Sequence, residues 1–240
     1  MRNFLLLFVF MLICLTTFSQ TGSFQLGGYL SEGNFNAFNV NSSLNIRQDS
    51  GKYTWNAHPS FTLTYYDKII NREFYNSIAI NIRFNNKWKI LLFNEDENSF
   101  GRKINYRGSL GIGISHKFIY ENKIMIDISE AILPELYMIN NCDIKIIRLS
   151  TRVKFIYKKE KLTLSSITLI QPSIFNYVIN EIPYNKSINI RSTNSLMFTI
   201  TKKTSFGVGF DLINDGISSH INTKVKPLDT KLYFTVKYEI

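Results

Sequence analysis

Apolar and polar residues alternate along most of the chain with a period of two. Phe38, Val40, Ser42, Leu44 and Ile46 alternate with Asn39, Asn41, Ser43, Asn45 and Arg47. Tyr53, Trp55, Ala57, Pro59, Phe61, Leu63 and Tyr65 alternate with Thr54, Asn56, His58, Ser60, Thr62 and Thr64. The same step separates Ile78, Ile80, Ile82 and Phe84 from Ser77, Ala79, Asn81 and Arg83. It separates Leu110, Ile112, Ile114 and Phe118 from Ser109, Gly111, Gly113, Ser115 and Lys117. Later, Ile188, Ile190, Leu196, Phe198 and Ile200 oppose Asn189, Arg191, Thr193, Ser195 and Thr199. Successive side chains of a strand point to opposite faces, so this period predicts strands. No segment carries a comparable helical period. The chain reads as all-β, with about twelve strands in a range of roughly ten to fourteen. Residues 88–95 and 142–149 change parity partway, as a bulge or a shifted boundary would produce. Residues 162–171 are ambiguous.

The connections alternate too. Short polar ones, at Asp49-Ser50-Gly51-Lys52, Asn85-Asn86-Lys87, Glu121-Asn122-Lys123, Lys158-Lys159-Glu160-Lys161 and Lys202-Lys203-Thr204, read as tight hairpin turns. Residues 67–73, 95–105, 133–141, 172–186 and 214–227 read as longer loops. Short turns at one end and long loops at the other are the pattern of a transmembrane antiparallel up-and-down β-barrel of the outer membrane. A soluble sandwich also alternates, but its wet face usually carries many Lys and Glu. Here the polar faces are mainly Asn, Ser, Thr and Gly, which suit a barrel lumen. Tyr53, Trp55, Tyr65, Phe84, Trp88, Phe118 and Tyr157 sit near predicted strand ends, where aromatic girdles meet the lipid headgroups. In lipid a closed sheet leaves no backbone group unpaired.

The two ends of the chain carry addresses. Arg2 precedes an apolar run from Phe4 to Leu15, and Thr16, Thr17, Ser19 and Gln20 follow. This is the form of a secretory signal peptide, with cleavage expected between Ser19 and Gln20. The expected organisation is therefore a signal peptide over 1–19 and one barrel domain over 20–240. The run falls short of the roughly 20 residues that span a bilayer. Ile13 stands where a lipoprotein signal needs a small residue, so Cys14 is not an acylation site. At the other end, Leu232, Phe234, Val236, Tyr238 and Ile240 share one face of the last strand. An apolar last residue with an aromatic two before it resembles the C-terminal signal read by the barrel assembly machinery; Ile replaces the more usual Phe.

Composition narrows the functional classes. The 240 residues carry 28 Lys+Arg against 18 Asp+Glu, a formal net charge of +10, with 45% hydrophobic and 14% aromatic residues. Such apolar content argues against intrinsic disorder. The basic residues are dispersed, with no basic stripe interleaved with aromatics, so a nucleic-acid partner is not expected. Gly111-Ile112-Gly113 lies within an alternating strand, so it is not a dinucleotide loop. With Cys14 in the signal, Cys142 is the one remaining thiol, and no His lies near it in sequence. His58, His116 and His220 match no hydrolase dyad: His116 and Ser115 fall on opposite faces, Ser60 shares a face with His58, and His220 follows Ser218 and Ser219 in a loop. No metal-ligand spacing appears, and Glu95-Asp96-Glu97 reads as a solvated loop. No catalytic, cofactor or metal residues are assigned.

What stands out is charge on the polar faces. Arg47, Arg83, Arg107, Lys117, Arg152, Lys154 and Arg191 are predicted to face the lumen, with fewer acids there, Asp127, Asp211 and Glu239. A water-filled lumen of that kind would favour anions. The alternative is a polar network filling a narrow barrel.

The segments Phe24-Gln25-Leu26-Gly27-Gly28-Tyr29-Leu30-Ser31-Glu32-Gly33-Asn34-Phe35-Asn36 and Tyr106-Arg107-Gly108-Ser109-Leu110-Gly111-Ile112-Gly113-Ile114 resemble the first and middle strands of the salt-stress-induced outer-membrane proteins, whose domain has no assigned function. The resemblance extends over most of the mature chain and implies an outer-membrane barrel without catalytic residues. Its glycines imply close packing or curvature of the wall. The expected protein is a monomer in outer-membrane lipid, with a structural or envelope-stress role and at most passive passage of small solutes. An envelope lipid-modifying enzyme and a surface receptor using the long loops are the competing classes.

Overall fold

A computed structural model describes residues 20–32, 37–66, 69–99, 104–139, 142–178, 188–215 and 228–240. The signal-peptide expectation for residues 1–19, and His220, lie outside the described residues. Twelve antiparallel strands form one closed barrel in sequence order, with the first strand paired to the last. They are β1 (Gln20–Glu32), β2 (Ala37–Ser50), β3 (Tyr53–Tyr66), β4 (Ile69–Arg83), β5 (Trp88–Ser99), β6 (Ile104–Tyr120), β7 (Ile124–Ile139), β8 (Cys142–Lys159), β9 (Leu162–Val178), β10 (Ile188–Thr199), β11 (Thr204–Asp215) and β12 (Leu228–Glu239). Closure pairs Phe24 with Tyr238 and Leu30 with Leu232. That removes both sheet edges, the requirement for an all-β chain in lipid.

The period of two decides which residues face out. Leu110, Ile112, Ile114 and Phe118 are exposed on one face of β6, while Arg107, Ser109 and Ser115 on the other are buried. Phe24, Leu26, Phe61, Phe74, Ile80, Phe206, Phe210, Leu232, Phe234 and Val236 continue the apolar outside around the barrel. His116 belongs to this outer face. Its ring packs 4.3 Å from Trp88 and 4.7 Å from Phe118, within the aromatic set near the turns.

The short connections are hairpin turns. Gly51 takes φ 74°, the left-handed region that a two-residue hairpin needs at its first position. The Asn85 side chain accepts from the backbone N–H of Lys87 and Trp88, and Thr201 does the same for Lys203 and Thr204. These local side-chain bonds hold the turn without a second strand layer.

Two sequence expectations need correction. Residues 67–73, 95–105 and 133–141 are mostly strand, and 172–186 is strand to Val178: β4 begins at Ile69, β5 runs to Ser99 and β7 to Ile139. Glu95, Asp96 and Glu97 therefore lie in β5, not in a solvated loop. Nor does the parity change in residues 88–95 or 142–149. Trp88 to Glu97 pair with β6 in unbroken register, and Ile139 to Ile124 pair with Cys142 to Tyr157 without a shift. The alternation is hidden because part of the inner face is apolar. Leu91 is buried inside, and the Phe93 ring occupies the place where a Gly111 side chain would stand. The one irregularity involving β8 is opposite β9, between Ile147 and Arg148.

Candidate functional site: the barrel lumen

The lumen is divided into a packed part and an open part. The packed part lies against β5 to β10 and is tied by a chain of alternating charges. Arg191 on β10 donates across the lumen to Glu97 on β5 at 3.2 Å. The same Glu97 oxygen accepts from Arg107 on β6 at 3.2 Å. Arg107 also pairs with Glu135 on β7, whose other oxygen accepts from Arg148 on β8 at 2.7 Å. Arg148 then donates to the Gln171 carbonyl on β9 at 2.9 Å, and Gln171 is the register partner of Asn189 on β10. The links thus return to the strand from which they began. Beside this circuit, toward the ends of β6 to β8 away from the short turns, Ile104, Tyr137, Ile139, Ile144 and Ile146 form an apolar cluster. The Arg107 guanidinium stands 5.4 Å from the Tyr137 ring centroid, and Asn189 donates to the Tyr137 hydroxyl at 3.4 Å. Both guanidinium groups and the Glu135 carboxylate are out of contact with water. Buried charges are tolerated only when paired and hydrogen-bonded in this way.

The open part is a cavity of about 450 Å3 on the side of β1 to β4 and β10 to β12, bordered by Tyr29, Asn41, His58, Tyr75, Arg191 and Tyr233. Its wall carries hydroxyls and amides, among which Asn41 donates to Thr62 at 3.0 Å. The Tyr233 ring lies flat against Gly209, where any Cβ would overlap it. That close approach keeps the ring on the wall and the cavity open. Glu73, Glu97, Asp211, Arg191 and Lys231 also border the cavity, so its charge is mixed.

Nearer the turns, Asp127 on β7 gathers a second set. It accepts from Ser115 at 2.7 Å, Lys89 at 3.0 Å and Arg152 at 3.4 Å. Lys154 is its register partner on β8 and Lys117 its register partner on β6. The Lys117 ammonium instead lies 4.6 Å from the Tyr120 ring centroid. At the rim, Arg47 and Arg83 both reach Asp49, at 3.1 and 2.6 Å, and Lys237 reaches Glu239 at 2.8 Å.

The named sequence candidates therefore occupy four places. Arg107 and Arg191 join the charge circuit. Asp127 and Arg152 meet nearer the turns, with Lys117 and Lys154 opposite Asp127 in register. Arg47, Arg83 and Glu239 form rim pairs, while Asp211 borders the cavity opposite Lys231 in register. Asp49, Glu73, Glu97 and Glu135 add to the inward acids named from the sequence, and Lys89, Arg148 and Lys231 add to the inward cations. Glu97 and Glu135 sit in segments read as loops, and Arg148 was hidden by the apparent parity change. The usable signal was Glu95-Asp96-Glu97-Asn98-Ser99 continuing the two-residue step of β5. Among the described residues, no group of three His, Cys, Asp or Glu is placed to hold a metal ion.

No family model and no curated protein matches the sequence. Solved structures do match the fold. The NanC porin aligns over 90% of this chain and 98% of its own, with a TM-score of 0.60 at 10% identity. An outer-membrane channel from Pseudomonas putida F1 aligns over 92% and 95%, at 0.56 and 8%. The KdgM porin aligns over 90% and 98%, at 0.53 and 10%, and has also been solved in complex with disordered oligogalacturonate. The chain has the fold of a porin-like outer-membrane β-barrel.

Proposed function

We propose that this protein is a passive channel for small polar solutes in the outer membrane, conducting through the off-centre cavity beside β1 to β4 and β10 to β12. The observation that carries this reading is the cavity itself, held open by the hydroxyl and amide wall and by the Tyr233 ring on Gly209. Polar lining without a dominant charge suits hydrated solutes, which exchange water hydrogen bonds for wall hydrogen bonds. The barrel closes within one chain, so a single copy completes the proposed channel. Residues 1–19 serve as the export signal and are removed. The turns face the periplasm, and Leu232, Phe234, Val236, Tyr238 and Ile240 present the assembly signal on the outer face. The glycine-containing segments of β1 and β6 support kinship with the salt-stress-induced outer-membrane proteins.

The charge circuit and its apolar filling favour a second reading, a barrel with a structural envelope role and no flux. Planar-bilayer recording separates the two. Discrete conductance steps from the purified chain support the channel; a silent bilayer with correctly folded, heat-modifiable protein overturns it.

A further inference from the structure

Asp127 is flanked in register by two lysines and is bonded to neither. Its oxygens are taken by Ser115, Lys89 and Arg152. Lys154, directly across on β8, makes no hydrogen bond or ion pair among the described residues, although it is half-buried. Arg152, two residues away on the same inner face of β8, and Lys89 both bond to the Asp127 carboxylate that Lys154 faces in register. The Arg152 Nε–H beside it is buried and also lacks an acceptor. Arg47 is already held by Asp49 at the rim. The β7–β8 wall thus carries two donors without acceptors, an ammonium and a guanidinium N–H, in a region with an excess of positive charge.

Two features separate this from a solvated basic face. A buried donor without an acceptor is costly, and more so when charged. Like charges gathered around one carboxylate add to that cost inside a low-dielectric wall. An oxyanion removes both penalties at once, because each of its oxygens accepts charge-assisted hydrogen bonds from ammonium and guanidinium donors. We propose that Lys154, Arg152 and Lys89 form a binding site for a multivalent oxyanion, phosphate being the simplest, at the turn end of the lumen. Asp127 orders Lys89 and Arg152 around it and leaves Lys154 to the ligand. This inference rests on the lumen being reached by solutes from the turn end, as the channel reading holds.

Inorganic phosphate is the probe, titrated into the purified full-length barrel in detergent by calorimetry, against potassium chloride of equal ionic strength. Saturable binding of phosphate but not chloride is expected. Lys154→Met should weaken it about tenfold or more, the loss of one charge-assisted bond. The same substitution should raise the unfolding temperature without phosphate, since it removes an uncompensated cation, and should abolish stabilisation by phosphate. Lys203→Met, in a turn outside the lumen, should leave phosphate binding unchanged. Equal heats for phosphate and chloride would overturn the site, as would undiminished binding by a folded Lys154→Met protein. Phosphate binding by a barrel that conducts no current retains the site and removes the channel. Conductance without phosphate binding does the reverse.

Discussion

The two sides of the barrel solve the same problem differently. Strands β6 to β9 are 16 to 18 residues long, and the side from β5 to β10 fills its inner face with guanidinium–carboxylate pairs and isoleucines. Strands β1 to β4 and β10 to β12 are 12 to 15 residues long and line their inner face with hydroxyls, amides and a ring laid on glycine. A membrane crossing needs only about 9–11 residues per strand, so β6 to β9 extend well past it. On the first side Glu97, Arg107, Glu135 and Arg148 bond to one another across the inner face and fill the space that water and solute would take. On the second, short polar side chains bond to their neighbours and leave the centre empty. Barrel size alone does not set pore width. The length of inward side chains, and what they bond to, sets it.

The sharpest way to break this comparison is to remove one buried charge. Glu135→Ala would leave Arg107 and Arg148 without their shared carboxylate, and should cost about 3–5 kcal/mol. Asn41→Ala on the open side loses one part-buried bond to Thr62 and should cost about 1 kcal/mol. Loss of the fast-migrating folded band with rising temperature, on unboiled gels, measures both. Equal losses would mean that the two sides do not differ in kind.

A smaller effect is expected from Gly209→Val. Its side chain would push the Tyr233 ring off the wall and into the cavity, at about 1–3 kcal/mol of overpacking. Single-channel conductance should fall while the barrel still assembles. Unchanged conductance would place the solute path elsewhere. The smallest effect belongs to the rim. Asp49→Asn breaks the pairs with Arg47 and Arg83, both more than a third exposed, so stability should change by less than about 1 kcal/mol. Chemical denaturation of the two proteins in parallel would detect anything larger.

The chain by itself determined the strands, their number and the face each residue takes, wherever outward residues are apolar and inward ones polar. Phe38 to Arg47 and Leu232 to Ile240 are legible for that reason: lipid outside and polar lumen inside impose opposite demands on successive residues. The turns were legible too, because Gly51, Asn85 and Thr201 satisfy their backbone locally. Legibility failed where the inner face is also apolar. Leu91, Phe93, Ile144 and Ile146 point inward, so apolar residues fall on both faces and the two-residue period disappears. The ion pairs were out of reach for another reason. Glu97 meets Arg107 ten residues away but Arg191 ninety-four away, and Glu135 reads as any loop acid until β7 and β8 are side by side. Closing the sheet brings β5 and β10 across one lumen. Only that closure decided which charges are buried together, which part of the barrel is filled and which part is open, because desolvation and pairing depend on distance in space, not along the chain.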